Sequence, residues 1–474
     1  MKNMRSSYKT ERIDFSNGPI FKNIVFFALP LIFTNLLQVL YSVSDTVIVS
    51  MSDEPDAVGA IGTTAAMINL IVNLFIGCSV GAKVAAGKKL GAEDSIGAST
   101  VAHTAMTVGI IFGAACGLIG FFTSEPLIEA MGNAGRLLEL AVLYSKIYFL
   151  GVPFISVTNF ACALIHADGD TKTPLRVLSL AGMLNVILNV ISVKCFKRSV
   201  DGMAIATVIS NAVSAILLTL KLAGSEYRFD LRRCGIDKEA FLSILHIGLP
   251  AAVQSALFSL SHMVIQSSIV TLNNAAAGAD AAFQPIVKGS AAVASIESFG
   301  FTTVNATAQA AISFVARNDG AKNYRRIRLG MLYCYISVFL LAAVFAALML
   351  IFREPMLALY KIKRGVAGSL DAIAFDTACA RMLCMFIPYF LLGFMEVGAG
   401  VMQGLGHSLM SSIVSLTGSV VFRILWIFTV FKAFPSAEVI FWSYPISWLL
   451  TSFMHYLCIT RILKKKTTLQ NASQ

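Results

Sequence analysis

The sequence contains few charged residues for its length. Only 13% of its 474 residues are Asp, Glu, Lys or Arg, whereas 57% are hydrophobic and the mean hydropathy is +0.75. A soluble domain carries roughly a quarter charged residues, so this chain cannot cover its surface with hydrated side chains. We therefore expect it to lie in a lipid bilayer, where backbone polar groups must be satisfied inside helices or a closed barrel.

Motifs of common enzyme classes are also missing. Gly87-Lys88-Lys89 fits no P-loop glycine pattern, and the sequence contains no HExxH zinc motif. The nine cysteines include no CxxC pair and no other metal-ligand spacing, so we predict that they are small core residues. ATP is therefore not the expected energy source, and we predict that the protein is not an enzyme and holds no cofactor.

Long apolar segments dominate the sequence instead. Runs of about 20 residues or more favour membrane-spanning helices over the alternating strands of about ten residues that build barrels. The eighth run is interrupted by Pro285 and Lys288. We predict twelve helices, at residues 21–50, 57–83, 97–122, 137–166, 173–196, 202–223, 239–271, 278–316, 327–352, 374–404, 407–433 and 436–462.

The two halves of the sequence repeat each other. Leu29-Pro30 recurs as Leu249-Pro250, and the residues at 88–92 recur in altered form at 317–321. Each copy has six predicted helices, and an even number places both copies the same way up in the membrane. The predicted fold class is an all-α membrane protein with twelve transmembrane helices in two parallel six-helix repeats. Such duplicated bundles are typical of secondary transporters.

Basic residues indicate the orientation. Most of the 37 Lys and Arg residues fall at ends and loops that are cytoplasmic if the N-terminus is inside. We predict a multi-pass protein of the cell (inner or plasma) membrane with both termini in the cytoplasm. The net charge of +11 then reflects topology and attraction to anionic membrane lipid, and no nucleic acid is expected as a partner. The predicted parts are a cytoplasmic tail at 1–20, six-helix lobes at 21–223 and 239–462, a cytoplasmic linker at 224–238 and a cytoplasmic tail at 463–474.

A few polar side chains interrupt the apolar runs of the first half. Asp45 lies in the first predicted helix, where an unpaired carboxylate is costly and its protonated form is favoured. Asn185 and Asn189 share one face of the fifth helix, and Thr207 lies in the sixth. A carboxylate with these neutral oxygens suits a proton or a small hard cation. The alternative is a cap at Asp45 and ordinary helix–helix hydrogen bonds at the other three.

Short sequence pieces occur in order and at consistent spacing across both halves. They are Leu29-Pro-Leu, Ser44-Asp-Thr-Val, Gly169-Asp-Thr-Lys-Thr-Pro174, Asn185-Val-Ile-Leu-Asn189, Gly202-Met-Ala-Ile-Ala-Thr207, Val315-Ala-Arg-Asn-Asp-Gly-Ala321, Gln403-Gly-Leu-Gly406 and Arg423. Together they resemble the multidrug and toxic compound extrusion (MATE) transporters, from about residue 19 to 460. The resemblance implies two six-helix lobes, a V-shaped cavity, and export of organic cations against a sodium or proton gradient.

One branch of that family implies a cation-coupling site in the N-terminal lobe. Its Asp, its Asn and Asp four residues apart, and its Thr fall on Asp45, Asn185, Asn189 and Thr207. This sequence departs from the pattern at Asn189, whose amide can ligate a cation but cannot carry a proton. We expect Asp45 either to bind Na⁺ with reduced affinity or to carry a proton alone. Another branch places acids in the seventh and tenth helices, where this chain has only Glu396, about a turn away.

Further polar residues are candidates for substrate binding. Glu297 and Glu396 would attract a cationic drug, although Glu297 could equally pair with Lys288 or Arg381, and Glu396 with Arg423. His262 could titrate near neutral pH or make a fixed hydrogen bond. In the N-terminal lobe the candidates are Tyr41, Asn69, Asn73, Tyr148 and Asn159.

These observations predict a monomeric secondary antiporter. It would export hydrophobic organic cations in exchange for Na⁺ or H⁺ by alternating access. The alternative is a flippase for lipid-linked or polysaccharide substrates, which related folds of the same broad superfamily perform. An anionic headgroup would need a cationic cavity, and Lys288, Arg381 and Arg423 are too few to favour it.

Overall fold

The protein is helical throughout the part that the structure describes. The computed structural model describes residues 12–225, 227, 229–230, 235–277, 284–366 and 369–472. In chain order the helices are α1 (Ile20–Val49), α2 (Ala57–Gly91), α3 (Ser95–Ala130), α4 (Gly135–Ala167), α5 (Lys172–Lys194), α6 (Val200–Ala223), α7 (Lys238–Ala277), α8 (Pro285–Gly320), α9 (Tyr324–Ile351), α10 (Arg353–Leu359), α11 (Leu370–Phe386), α12 (Tyr389–Gly404), α13 (Ser408–Phe431) and α14 (Ala437–Ala472). The predicted all-α architecture is confirmed for these residues.

The predicted membrane spans correspond to these helices. Among the described residues, ten helices are long and apolar enough to cross a bilayer, and α11 and α12 qualify together as a span bent by 48°. The bend lies at Pro388, where proline removes a helical hydrogen bond. The 36-residue α8 corresponds to the eighth predicted span but is less apolar, because Ser, Thr, Asn and Gln are frequent in it. Residues 278–283, where that span was predicted to begin, lie outside the described residues.

The last helix is longer than the sequence pattern predicts. We expected it to end at residue 462, but α14 continues to Ala472. The extension packs against the same half of the protein, because Leu463 is buried and Lys466 Nζ donates to the carbonyl of Leu405 over 3.5 Å. The predicted C-terminal tail is therefore helical as far as it is described.

The segment that precedes α1 is also packed. Arg12 forms a 3.1 Å ion pair with Asp168, Ile13 N donates to the Gly169 carbonyl, and Phe15 is buried. Gly169 has a φ of +90°, and a Cβ atom there would lie 2.3 Å from the Ile13 carbonyl oxygen. This turn accordingly requires glycine. Residues 1–11, residues 473–474 and part of the predicted linker, including Arg232 and Arg233, lie outside the described residues.

The helices form two compact units. The first comprises Phe26–Ala252, Ala316–Lys322 and the described residues up to Gly18. The second comprises Pro19–Val25, Val253–Val315 and Asn323–Gln474. The predicted lobe and linker boundaries remain predictions.

Small residues allow close helix packing in the first unit. On α3, a Cβ atom at Gly113 would lie 2.9 Å from Pro153 Cα, and one at Gly120 would meet the Phe149 ring. Glycine at these positions lets α3 and α4 approach closely, which drives helix association where lipid offers no hydrophobic gain. A similar close approach joins α4 to α6, since a Cβ atom at Gly151 would lie 2.7 Å from Val208 Cγ2.

Candidate functional site

Three helices of the first unit bring the predicted coupling residues together. Asp45 lies one turn before the end of α1, Asn185 and Asn189 lie on one face of α5, and Thr207 lies on α6. The four-residue spacing on α5 places both amides on the same side of that helix. The sequence prediction that these four side chains cluster is therefore matched by their positions, although their role in coupling remains a prediction.

The cluster is a continuous series of hydrogen bonds. Asn189 Nδ2 donates to Asp45 Oδ1 at 2.7 Å and to Asn185 Oδ1 at 3.0 Å. Asn185 Nδ2 in turn donates to Thr207 Oγ1 at 3.3 Å and to Ser210 Oγ at 3.4 Å. Thr207 Oγ1 donates to the Met203 carbonyl at 3.0 Å. Each amide thus links one helix to the next, and the series ends on the carboxylate.

The charge of Asp45 is not balanced by a basic side chain. Asn189 is completely buried and Asn185 nearly so, whereas Asp45 is half-buried. Within the described residues Asp45 has no ion-pair partner, and Asn189 is its one hydrogen-bond partner. Asn189 Oδ1 is buried and accepts no hydrogen bond from any described residue. An ionised carboxylate in this setting would favour a proton or a metal cation as its counter-charge.

Two residues of this site were not predicted from the sequence. Ser210 lies three positions after Thr207 on α6, and this helical spacing could have identified it. Tyr144 lies close enough to Asp45 for an electrostatic interaction, and its ring stacks on that of Tyr148 with 6.1 Å between centroids. Tyr144 belongs to α4, and only the fold brings it to Asp45. Both tyrosines are buried.

The other N-terminal candidates fall into two groups. Tyr41 donates to the Ser179 carbonyl at 3.1 Å, and Asn159 donates to the Ile155 carbonyl at 2.9 Å, so both side chains are engaged within the helices. Asn69 is exposed and Asn73 is half-buried, four residues apart on α2. Neither makes a side-chain hydrogen bond within the described part of the chain. Only this second pair leaves its amide groups available to a ligand.

In the second unit, Glu297 pairs with an arginine. Arg381 Nη2 lies 3.1 Å from Glu297 Oε2, and Arg381 Nη1 donates to Ser290 Oγ at 2.6 Å. The sequence left the partner of Glu297 open, and the structure identifies Arg381. A paired carboxylate attracts a cationic ligand less than a free one, since its charge is already neutralised.

The remaining candidates of the second unit take no part in that ion pair. Glu396 makes no hydrogen bond or ion pair within the described residues. Arg423, its suggested partner, donates instead from Nε to Ser447 Oγ at 2.9 Å. The His262 ring lies 6.2 Å from that of Tyr444.

The fold and the polar cluster together define a multi-pass helical membrane protein in which Asp45 has no ion-pair partner among the described residues. Comparison with known families identifies the family to which it belongs. The sequence model of the MatE family matches residues 30–191 and 250–429, one match in each half of the chain. The chain therefore belongs to the MatE family, whose members are membrane transporters and not enzymes. The predicted family is therefore confirmed, as is the prediction that the protein is a transporter and not an enzyme.

Curated relatives cover much of the chain at low identity. It is 26% identical over 417 residues to the "Probable multidrug resistance protein YpnP" of Bacillus subtilis (strain 168), covering 86% of this chain and 88% of that protein. It is 25% identical over 262 residues to the "Multidrug export protein MepA" of Staphylococcus aureus (strain MRSA252), covering 55% and 58%.

Solved structures confirm the fold class. One is described as the outward-facing conformation of a multidrug resistance MATE family transporter of the MOP superfamily, with a TM-score of 0.86, 20% identity, and coverage of 97% and 99%. Another is a MOP superfamily transporter from Pyrococcus furiosus, for which a reverse polarity of the binding pocket is reported to suggest a different function. It matches with a TM-score of 0.85, 20% identity, and coverage of 96% and 99%.

Proposed function

We propose that this protein is a secondary active exporter of small hydrophobic organic cations, driven by the inward movement of Na⁺ or H⁺. The observation that carries the proposal is the hydrogen-bonded series from Asp45 through Asn189 and Asn185 to Thr207. Its single carboxylate has no ion-pair partner within the described residues. Relatives named as multidrug resistance and multidrug export proteins support the substrate class.

The negative charge of Asp45 supplies the reason for coupling. With no cation bound, Asn189 Nδ2 lies between Asp45 Oδ1 and Asn185 Oδ1 and stabilises the ionised carboxylate through a charge-assisted hydrogen bond. A proton or Na⁺ removes that charge, and the hydrogen bond loses its ionic character. The site therefore distinguishes a loaded state from an empty one, which is what a cation-driven conformational change requires.

The Asn189 amide allows the same cluster to accept either cation. Rotation about its Cβ–Cγ bond exchanges Nδ2 for Oδ1, which accepts no hydrogen bond within the described residues. Oδ1 then accepts from a protonated Asp45, or joins the oxygens of Asp45 and Thr207 as ligands of Na⁺, a hard cation that prefers oxygen. Because the amide holds no proton of its own to exchange, the cluster takes one positive charge per cycle.

An organic cation would find complementary groups beside the same carboxylate. The stacked rings of Tyr144 and Tyr148 offer aromatic faces, which attract cations. Asp45 supplies the only negative charge of this cluster, so substrate and coupling cation compete for it. Competition of this kind makes the two bound states exclusive and gives exchange rather than co-transport.

The remaining features of the proposal follow from the sequence. Both termini lie in the cytoplasm in this proposal, because Lys and Arg concentrate at the corresponding ends and loops. The protein acts as a monomer in the cell membrane. Its partners are small organic cations and membrane lipid, and its positive charge serves topology rather than nucleic-acid binding.

Transport by the purified wild-type protein tests the proposal. Proteoliposomes loaded with ethidium would be placed under a sodium gradient, a proton gradient or no gradient, and ethidium export would be followed by fluorescence. We expect export under one of the two gradients and none without a gradient. Equal export with and without a gradient would contradict coupling, and no export under either would contradict the substrate class.

A further inference from the structure

We propose that the second unit contains a binding site for a small monovalent anion, a halide or a carboxylate, formed around Arg381 and Arg423. This site lies outside the Asp45 cluster, and the proposal does not depend on cation-driven export. The two guanidinium carbons lie 6.0 Å and 4.3 Å from the centroid of one ring, that of Tyr444. Arg381, Arg423 and Tyr444 are 5%, 2% and 4% exposed.

The charges at this place are unequal. Arg381 and Arg423 contribute two positive charges, and Glu297, paired with Arg381, contributes one negative charge. His262 faces the Tyr444 ring and adds no negative charge. Glu396 has no ion pair within the described residues. Among the described residues, one of these two buried arginines therefore has no ion-pair partner, and uncompensated charge at membrane depth is strongly disfavoured.

Hydrogen-bond donors at this place also exceed the acceptors. Arg423 donates from Nε to Ser447 Oγ, and its two terminal nitrogens donate to no acceptor among the described residues. Arg381 Nε is buried and has no hydrogen-bond partner in the part of the chain that the structure describes. The hydroxyl of Tyr444 likewise donates to nothing in the described part of the chain. Free donors beside an excess positive charge are complementary to an anion.

The backbone around Arg423 is unusual as well. Arg423 lies in a short α-helical stretch, Phe422–Trp426, between two π-helical stretches at Leu416–Val421 and Ile427–Phe431. Such π-turns are rare and occur frequently at functional sites. Here they set the direction in which α13 presents the Arg423 side chain, and Ser447 on α14 fixes its Nε.

The chemistry of the site favours a small, singly charged ligand. The excess charge is one, and the surrounding groups include the Tyr444 ring and the Phe441 ring, whose centroid lies 5.6 Å from the Arg381 guanidinium carbon. Guanidinium is weakly hydrated and matches anions that lose water readily. Chloride and acetate meet these conditions, whereas gluconate is a larger and more strongly hydrated anion that matches a guanidinium less well.

Thermal unfolding of the purified full-length protein tests the proposal. Unfolding would be followed by tryptophan fluorescence while chloride replaces gluconate at constant ionic strength, and separately while acetate replaces gluconate. We expect a saturable rise in Tm of several degrees with chloride. A rise with both anions assigns the site to compact anions in general. A rise with acetate alone assigns it to a carboxylate, such as that of an organic molecule, and no rise with either overturns the proposal.

Two variants separate anion binding from a purely structural ion pair. Arg423→Gln should abolish the dependence of Tm on chloride. Glu297→Gln removes the internal counter-charge of Arg381 and should lower the half-saturating chloride concentration several-fold. Arg461→Gln, a matched change at an exposed arginine of α14, should behave as wild type. If Glu297→Gln weakens the chloride dependence, or Arg423→Gln retains it, the proposal is wrong. If Arg423→Gln does not fold, the Glu297→Gln result and a bromide anomalous-scattering signal at Arg423 in crystals decide it.

Discussion

The side-chain nitrogen of Asn189 donates a 2.7 Å hydrogen bond to a carboxylate oxygen of Asp45, a residue 144 positions earlier in the chain. This bond joins α1 to α5 and ends the series that runs through Asn185 to Thr207. It also places a neutral amide at position 189, where the resemblance to one branch of the family implies a second acid. We expect this difference in charge to determine how the site responds to pH.

Asn189→Asp should change how the site responds to pH. Two carboxylates at hydrogen-bond distance repel each other when both are ionised, so they share one proton until the pH is high enough to remove it. We expect sodium-dependent transport by the variant to become strongly dependent on pH and to rise as pH increases. Sodium should also bind about tenfold more tightly at high pH, because the site then holds two negative charges.

The measurement is the sodium concentration for half-maximal ethidium export at several pH values. An isosteric control is Asn305→Asp, which adds the same charge to α8 outside the hydrogen-bonded series. Identical pH profiles for wild type and Asn189→Asp would rule out an ionisable partner for Asp45 at this position.

Asn185→Leu should destabilise the first unit. Asn185 donates to Thr207 and Ser210 and accepts from Asn189, so its loss removes three hydrogen bonds of a buried side chain. Each intramolecular hydrogen bond contributes about 0.5–1.5 kcal/mol to stability. We expect a lower Tm, whereas Asn73→Leu, at an amide without such bonds, should leave Tm nearly unchanged. Equal effects of the two substitutions would show that the Asn185 hydrogen bonds contribute no stability.

The repeat-related glycines make a reciprocal contact. A Cβ atom at Gly91 would lie 1.9 Å from the Arg317 carbonyl oxygen, and one at Gly320 would lie 2.0 Å from the Lys88 carbonyl oxygen. Lys88 also forms a 2.9 Å ion pair with Asp319. Neither position can accept a methyl group unless the backbones separate.

Gly320→Ala should therefore lower stability by about 1–3 kcal/mol, the usual cost of overpacking. Gly91→Ala should have a similar effect, because Gly91 packs against the Arg317 carbonyl as Gly320 packs against the Lys88 carbonyl. Gly224→Ala is the control, since its nearest atom would be 3.7 Å away. Thermal unfolding of the three variants measures the difference. If Gly320→Ala has the Tm of the wild type, the two backbones at Gly91 and Gly320 can move apart at little cost and the prediction is wrong.

Much of the site could be predicted from the sequence, because its signals are local. An acid in an apolar run and two amides four residues apart identify Asp45, Asn185 and Asn189. Contacts between distant segments left no such signal. The partner of Glu297 is 84 positions away, and only the packing of α8 against α11 selects Arg381. Tyr144 was missed for the same reason, since nothing near it in the sequence relates it to Asp45.

The same limit applies to the fold. Hydrophobic length predicted the helices well, but it does not record where a helix bends or where its hydrogen-bond pattern changes. The break at Pro388 and the π-helical stretches around Arg423 change the backbone hydrogen-bond pattern without interrupting the apolar runs from which the spans were predicted. The extension of α14 to Ala472 likewise depends on contacts made by Leu463 and Lys466.

The central claim is that Asp45 couples transport to a cation, and Asp45→Asn tests it most directly. The variant keeps the side-chain shape and removes the charge, and Asp53→Asn applies the same change to an exposed carboxylate beyond the end of α1. In proteoliposomes under the gradient that drives the wild type, we predict that Asp45→Asn exports ethidium at least tenfold more slowly, while Asp53→Asn matches the wild type. Wild-type export by Asp45→Asn under that gradient would contradict the account.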